Sequence, residues 1–352
     1  MRRTGRLREA ERERLSGLHE LSIEEIRERY LERGEPVSAH LLARLQRDPR
    51  QGARKLYAVL KHRFEKQREE RLRISAMLHF EKILWKSGVV HIAGVDEVGM
   101  GPLAGPVVAA AVVFEPGTEI EGVDDSKRID PARRYELAEI IRNRATGVGI
   151  GLADVEEIDR LNIYHAGLLA MKRAIEALPM RPQHVLVDAR TIAVDIPQNP
   201  FNKGDGINFT IAAASIVAKT HRDRLMENLD RDYPGYGFAA HKGYSTLEHR
   251  EAITRLGPCS QHRTSFPVIH ELCGEYSGLF YELRRQLDVA TSRELLGAFE
   301  ADLEARIREL KELECRKLRL LIGRRWKTIG TQKAIQPLSN PIGSGTETQN
   351  PS

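Results

Sequence analysis

Asp96 and Glu97 stand side by side at the end of an apolar run, "VVHIAGVDEVGMGPLAGP", with glycines at 99 and 101 just beyond them. A carboxylate in an apolar strand is costly unless something pairs with it, and the nearest base in the chain is His91. The problem recurs at Asp188, which ends "HVLVD", and at Asp223, on a segment rich in small residues. Isolated acids at the ends of elements point to a shared cation; on spacing alone, separate solvation or capping of each acid stays open. All-oxygen donors select a hard divalent ion, Mg2+ or Mn2+, and no Cys/His spacing competes. Neighbours on a regular strand face opposite ways. Asp96 and Glu97 therefore meet at one site only if the strand ends or bulges there, which Gly99 makes inexpensive. Otherwise Glu97 reaches a second metal or the other side of the substrate.

Gly99, Gly101 and Ala104 also fit the G-x-G-x-x-A pattern of dinucleotide-binding turns, which requires a helix to open at the third position. Here Gly105-Pro106 and "VVAAAVVF" follow, which reads as strand–turn–strand. The pattern also expects an acid about 20 residues on, at a strand end, and Glu115 precedes a Pro-Gly turn instead.

The elements that must position these acids begin at Val89. "VVHIAGVDEVG", "GPVVAAAVVFEPG", "TGVGIGLADV" and "QHVLVDA" read as strands. "DPARRYELAEIIRNRA", "DRLNIYHAGLLAMKRAIEAL", "NFTIAAASIVAKTHRDRLMENLDRDY" and "TLEHREAITRLG" read as helices. Before Val89 the pattern is helical: "SIEEIRERYLERG" has a Ser cap and ends at Gly34, and a second helical stretch from Pro49 ends at Gly88. The chain after "HRTSFPVI" returns to helical patterns. From Thr328 it becomes polar and rich in Pro, Gly and Ser, the composition of a disordered tail. "IQPLSN" in that tail resembles a clamp-docking peptide without its aromatic anchor and reads as linker. The organisation expected is 1–88 basic helical extension, 89–270 catalytic domain, 271–327 helical extension and 328–352 tail.

The net charge of +5 is uneven. Residues 1–90 hold 22 Lys/Arg against 14 Asp/Glu, and the remainder holds 33 against 36. A basic N-terminal quarter attracts polyanions without sequence preference, or is simply a solvated helix surface. No run of apolar residues is long enough for a membrane span, and the charged N-terminus lacks a secretory signal. Three widely spaced cysteines indicate reduced thiols and a cytoplasmic location.

The blocks "AGVDEVGMGPLAGPVVAAAVVF", "DDSKRID", "EEIDRLNIYHAGLLAMKRAI", "VLVDA", "KGDGINFTIAAASIVAKTHRDRLM", "YPGYGFAAHKGYST" and "HRTSF" occur in that order. Together they resemble bacterial ribonuclease HII, the type 2 ribonuclease H, over about residues 89–270. The segment from "DPRQGARKL" looks like the N-terminal extension that some members carry. The resemblance implies a ribonuclease H-like α/β fold: a mixed sheet of about five strands flanked by helices, here with helical N- and C-terminal extensions. It implies endonucleolytic cleavage of RNA in RNA–DNA hybrids and incision 5′ of single ribonucleotides in duplex DNA, with no obligate protein partner. A weakly active or inactive hybrid-binding module is the alternative.

On the matching positions the acids that carry catalysis and metal are Asp96, Glu97, Asp188 and Asp223. Two Mn2+ or Mg2+ ions would clamp one phosphodiester, giving 3′-hydroxyl and 5′-phosphate ends. In the family a Gly-Arg-Gly turn reads the 2′-hydroxyl, largely through its backbone; the matching residues are Gly99, Met100 and Gly101. Methionine cannot supply arginine's bidentate, charged contacts to phosphate. Lys127 and Arg222 are candidate phosphate contacts or ordinary surface charges, and Tyr244 is a stacking residue or a half-buried core tyrosine. His241, His262 and Arg263 are similar candidates, and Asp205 in "KGD" reads as a turn residue.

Overall fold

Alternation of small and β-branched residues gives two central strands with both faces covered, β1 (Ile92–Val98) and β2 (Val107–Val113). In the computed structural model, which describes residues 22–273 and 276–332, these join β3 (Gly147–Ala153), β4 (His184–Asp188) and β5 (Gln198–Phe201). The sheet order is β3-β2-β1-β4-β5. β1, β2 and β3 form an antiparallel meander, while β4 runs parallel to β1 and β5 parallel to β4. The mixed five-stranded sheet flanked by helices is the fold expected. A strand, not a helix, follows the Gly99–Pro106 turn, so the dinucleotide reading fails.

β5 is absent from the sequence reading. It is the four-residue edge "QNPF", and Pro200 is tolerated there because an edge strand need not donate on both sides.

The central helix (Phe209–Asp232) lies on one face. A Cβ at Gly94 would sit 2.2 Å from the Thr210 carbonyl carbon, so only glycine lets the helix approach β1 so closely. The helix Ile163–Glu176 covers the other face, lying on β3, β2 and β1; a Cβ at Gly151 would sit 2.1 Å from its Ala170 carbonyl oxygen. The expected single helix "DRLNIYHAGLL…" is broken by Asn162. Its φ of 70° ends one helix (Val155–Leu161), and its side chain caps the next by accepting from Tyr164 and His165 N–H groups.

The N-terminal helices have a core of their own, built on Ile26, Leu41, Leu45 and Leu60. The helix Ile23–Arg27 opens with a capping box between Ser22 and Glu25 and passes into a π-helical turn, Glu28–Glu32. The expected second helix is likewise two, Gln51–Met77 and His79–Lys86, broken at Leu78. Ile74, Met77 and Leu78 then join the core beneath the sheet.

Glu81 ties this region to the catalytic one. Fully buried, it accepts from Asn208 Nδ2 (3.1 Å), Thr210 N (3.2 Å) and Thr210 Oγ1 (2.8 Å) at the start of the central helix. Burial raises its carboxyl above the ordinary value despite these bonds. Glu81→Ala would leave those donors buried without a partner. We expect it to cost about 3 kcal/mol, read as a lower urea midpoint at unchanged slope.

The C-terminal helices Gly278–Val289, Arg293–Arg306 and Glu312–Gln332 share a third core around Phe280, Leu283, Leu296 and Phe299. Two expected boundaries shift. The helix Pro267–Cys273 carries the catalytic region past 270, with Ile269 and Cys273 packed on Leu103 and Ile253. The last helix continues through Thr328 to Gln332, its Trp326 and Ile329 packing on the third core. The rest of the expected tail, including "IQPLSN", and residues 1–21 lie outside the described residues. All three cysteines are free, and no described helix is long and apolar enough to cross a membrane.

Candidate active site

The parallel ladder between β1 and β4 stops at Val95 and Val187. The next residue of each strand is an acid, so Asp96 and Asp188 emerge together at the carboxyl ends of two parallel strands. Open α/β sheets bind ligands at such strand ends. Asp96 points toward the central helix, and its Oδ1 accepts from the Glu97 N–H at 2.8 Å. Glu97 leaves from the opposite face. β1 stays in register with β2 through Val98, so the strand has no bulge there. Beyond Asp188, however, nothing pairs on the β4 side, and the Glu97 side chain reaches around that open edge. Oxygens of Asp96, Glu97 and Asp188 come within 4.8 Å of one another.

The cluster is buried, with Arg190 and Lys127 the positive charges acting on it. Asp96 is 4% exposed. Burial lifts its carboxyl well above the ordinary value, and the charges of Glu97, Asp188 and Asp205 add to the rise. Burial raises Glu97 and Asp188 as well. Asp188 accepts from the Gly204 N–H at 2.7 Å, and one oxygen of Glu97 is buried with no hydrogen-bond partner. Three carboxylates, one with an open oxygen, fit a hard divalent ion.

Asp223 is not part of this group. It lies eight residues beyond Ser215, about 12 Å farther along the helix axis. Its oxygens are already held by Arg134 (3.3 Å) and Lys219 (2.7 Å) in a buried network. The acid beside the cluster is Asp205, read from sequence as a turn residue. It occupies the short 3-10 turn Gly204–Gly206, whose first N–H binds Asp188, and its charge acts on both Asp96 and Asp188. The signal available was its place in "KGD", just ahead of the Asn208 cap of the helix that packs on β1.

Lys127 pairs with Asp205 at 3.1 Å while its side chain stays 78% exposed, so it borders the site. Arg222 does not. It donates to the carbonyls of Pro106, Lys242 and Ala104, which fixes chain segments, and being wholly buried it is out of a phosphate's reach. Arg263 is a second buried staple, donating to the carbonyls of Gly99, Met100, Pro102 and Gly105. Every peptide bond among the described residues is trans. With the Gly99 and Met100 carbonyls turned toward Arg263, the N–H groups of Met100 and Gly101 point away from it.

Gly99 has φ 92°, and a Cβ there would sit 2.3 Å from Arg222 Nε, so the turn requires glycine. Tyr244 is 43% exposed and borders Gly101. Met100 packs inward against the core beneath the Ile163–Glu176 helix. His241 and His249 stack on each other and meet Phe238 edge-on, His262 is tilted against Phe238 and accepts from the Cys259 N–H, and together they form an aromatic knot beside the turn.

A family model described as ribonuclease HII matches residues 93–269, and one described as ribonuclease HII N-terminal domain matches residues 22–85. The ribonuclease HII of Myxococcus xanthus is 50% identical over 263 residues, covering 74% of this chain and 90% of that protein. The ribonuclease HII of Moorella thermoacetica is 53% identical over 198 residues, covering 56% of this chain and 96% of that protein. Among solved structures, ribonuclease H2 from Pyrococcus horikoshii is similar with a TM-score of 0.46 at 26% identity, covering 52% of this chain and 96% of that one.

Proposed function

Because the chain belongs to the ribonuclease HII family and is a metal-dependent endoribonuclease, we propose that it cleaves the RNA strand of RNA–DNA hybrids and incises 5′ of single ribonucleotides in duplex DNA. The observation that carries this reading is the convergence of Asp96, Glu97 and Asp188 at one sheet edge. Asp96 and Asp188 would hold the cations from one face of the sheet and Glu97 from the other. Asp205 is the fourth acid of the site, in place of Asp223, and the ions are Mn2+ or Mg2+. A pair of such ions held there would supply activation of a water for attack on phosphorus and charge stabilisation for the departing 3′-oxygen, with 3′-hydroxyl and 5′-phosphate ends as products.

The chain's own contribution is placement. Burial keeps Asp96 and Glu97 in a low-dielectric setting where a cation is bound strongly. The Gly204 N–H fixes the Asp188 rotamer. The turn Gly99–Gly101 offers two outward N–H groups, and its glycines leave the backbone bare enough to meet a ribose 2′-hydroxyl, the group that separates RNA from DNA. Under this reading the backbone does the discriminating, and Met100 in its midst is compatible with activity. Lys127 and Tyr244 flank the path of the strand.

The experiment is incubation of a labelled duplex carrying one internal ribonucleotide with the purified protein and Mn2+. Incision on the 5′ side of the ribonucleotide is expected, with an all-DNA duplex left whole. An intact ribonucleotide duplex, bound but uncut, would favour the hybrid-binding alternative.

A further inference from the structure

The residue after Asp188 is strained. Ala189 has φ 56°, a left-handed conformation that costs about 1 kcal/mol for any residue with a Cβ. Its N–H is held by the Phe201 carbonyl at 2.8 Å, so the β4–β5 pairing maintains the strain. Backbone strain of this kind gathers at functional sites. Its effect is to bring Arg190 back to the side of Glu97.

There the guanidinium lies over the Tyr164 ring, 4.9 Å from its centre, with the side chain 22% exposed. Its Nη1 is 3.8 Å from Glu97 Oε1, beyond hydrogen-bond length, and is buried with no acceptor. Gly167 makes the space: a Cβ there would lie 3.1 Å from Arg190 Nη1 and 3.0 Å from the Met100 sulfur. Methionine sulfur is only a weak acceptor. A dry, unpaired guanidinium nitrogen beside an acid cluster is unfavourable until an acceptor arrives.

We infer that Arg190 is a substrate-binding residue whose guanidinium takes a non-bridging oxygen of a phosphodiester in the ribonucleotide-bearing strand. This rests on the acid cluster being the cleavage site. A phosphate is the anion that the substrate itself brings, and guanidinium–phosphate bonds are among the strong, charge-assisted kind. The half-exposed Tyr164 ring holds the guanidinium plane, and the separation from Glu97 leaves that carboxylate free for cation.

The test compares wild type, Arg190→Met and Arg190→Lys on the single-ribonucleotide duplex, with Mn2+ affinity and circular dichroism measured on each. Arg190→Met should raise KM by roughly 10- to 100-fold, the scale of a lost charged hydrogen bond. Its kcat and Mn2+ affinity should stay within about threefold, and Arg190→Lys should recover part of the loss by keeping the charge. An unchanged KM would overturn the inference. So would a fall in Mn2+ affinity that tracks the lost activity, because Arg190 would then act by orienting Glu97. Should Arg190→Met misfold, single methylphosphonate replacements around the ribonucleotide decide the matter. One linkage should weaken wild type about tenfold and Arg190→Lys less, the weaker phosphate contact having less to lose; equal losses at every linkage would refute the contact. Wild type leaving the duplex uncut would instead sink the cleavage reading itself.

Discussion

Asp96→Asn is expected to lower cleavage at least about a thousandfold, some 4 kcal/mol of barrier, and yet to raise the thermal midpoint in chelator at pH 7 to 8. Both effects have one cause. Asp96 sits at the centre of the acid group, buried and facing Glu97 and Asp188. Its folded-state carboxyl titrates above the unfolded one, so its contribution to stability is full at low pH and lost as pH rises through the raised value. Without a cation, burial of this carboxyl beside Glu97 and Asp188 therefore opposes folding more as pH rises. Asparagine has the same shape without the charge, so it relieves the repulsion and removes the ligand together. Divalent ion should stabilise wild type by mass action and leave Asp96→Asn nearly unmoved. Differential scanning calorimetry in EDTA and in Mn2+, beside a cleavage assay, checks both arms. A variant no more stable than wild type in EDTA would show that the cluster is not electrostatically frustrated.

The second large effect is a contrast. Asp205→Asn should reduce cleavage about a hundredfold with little loss of stability. Asp223→Asn should do the reverse: activity at 25 °C within about threefold, and stability lower by about 3 kcal/mol. The reason is in the partners. Asp205 faces the cluster and one exposed lysine. Asp223 neutralises Arg134 and Lys219, and removing its charge leaves two cations poorly paired in a buried network. Urea titrations and initial rates on the two variants separate these outcomes. If Asp223→Asn proved as inactive as Asp96→Asn while remaining folded, the choice of Asp205 would be wrong.

Asp96, Glu97 and Asp188 were legible in the sequence because each ends an apolar strand, where an unpaired acid needs an explanation. The four longer strands and the central helix were legible for the same reason: their periodicity is strong. On the reading proposed above, Asp205 replaces Asp223 as the fourth acid; Asp205 sits just ahead of the helix that packs on β1, and Asp223 lies within it. The choice turns on how far along that helix the strand end falls. The small residues Ala212, Ala213, Ala214 and Ser215 mark the stretch against the sheet, which puts position 223 two turns past it. Arg222 misled for another reason. Sequence gives charge and not burial, and an arginine beside an acid on a helix reads as surface until its carbonyl partners are seen. β5 was hidden by its brevity and by Pro200. The break at Leu78 goes with its packing into the core beneath the sheet, whereas the break at Asn162 is local, an asparagine at positive φ capping the helix that follows. Glu81 carries no signal at all in its own helix, since its partners are more than a hundred residues away.

The most direct measurement is anomalous diffraction at the manganese edge from crystals grown with Mn2+. The account predicts ion density within ligand distance of Asp96, Glu97 and Asp188, with Asp223 still bound to Arg134 and Lys219. Empty space among the three carboxylates, or an ion held by Asp223 instead, would contradict it.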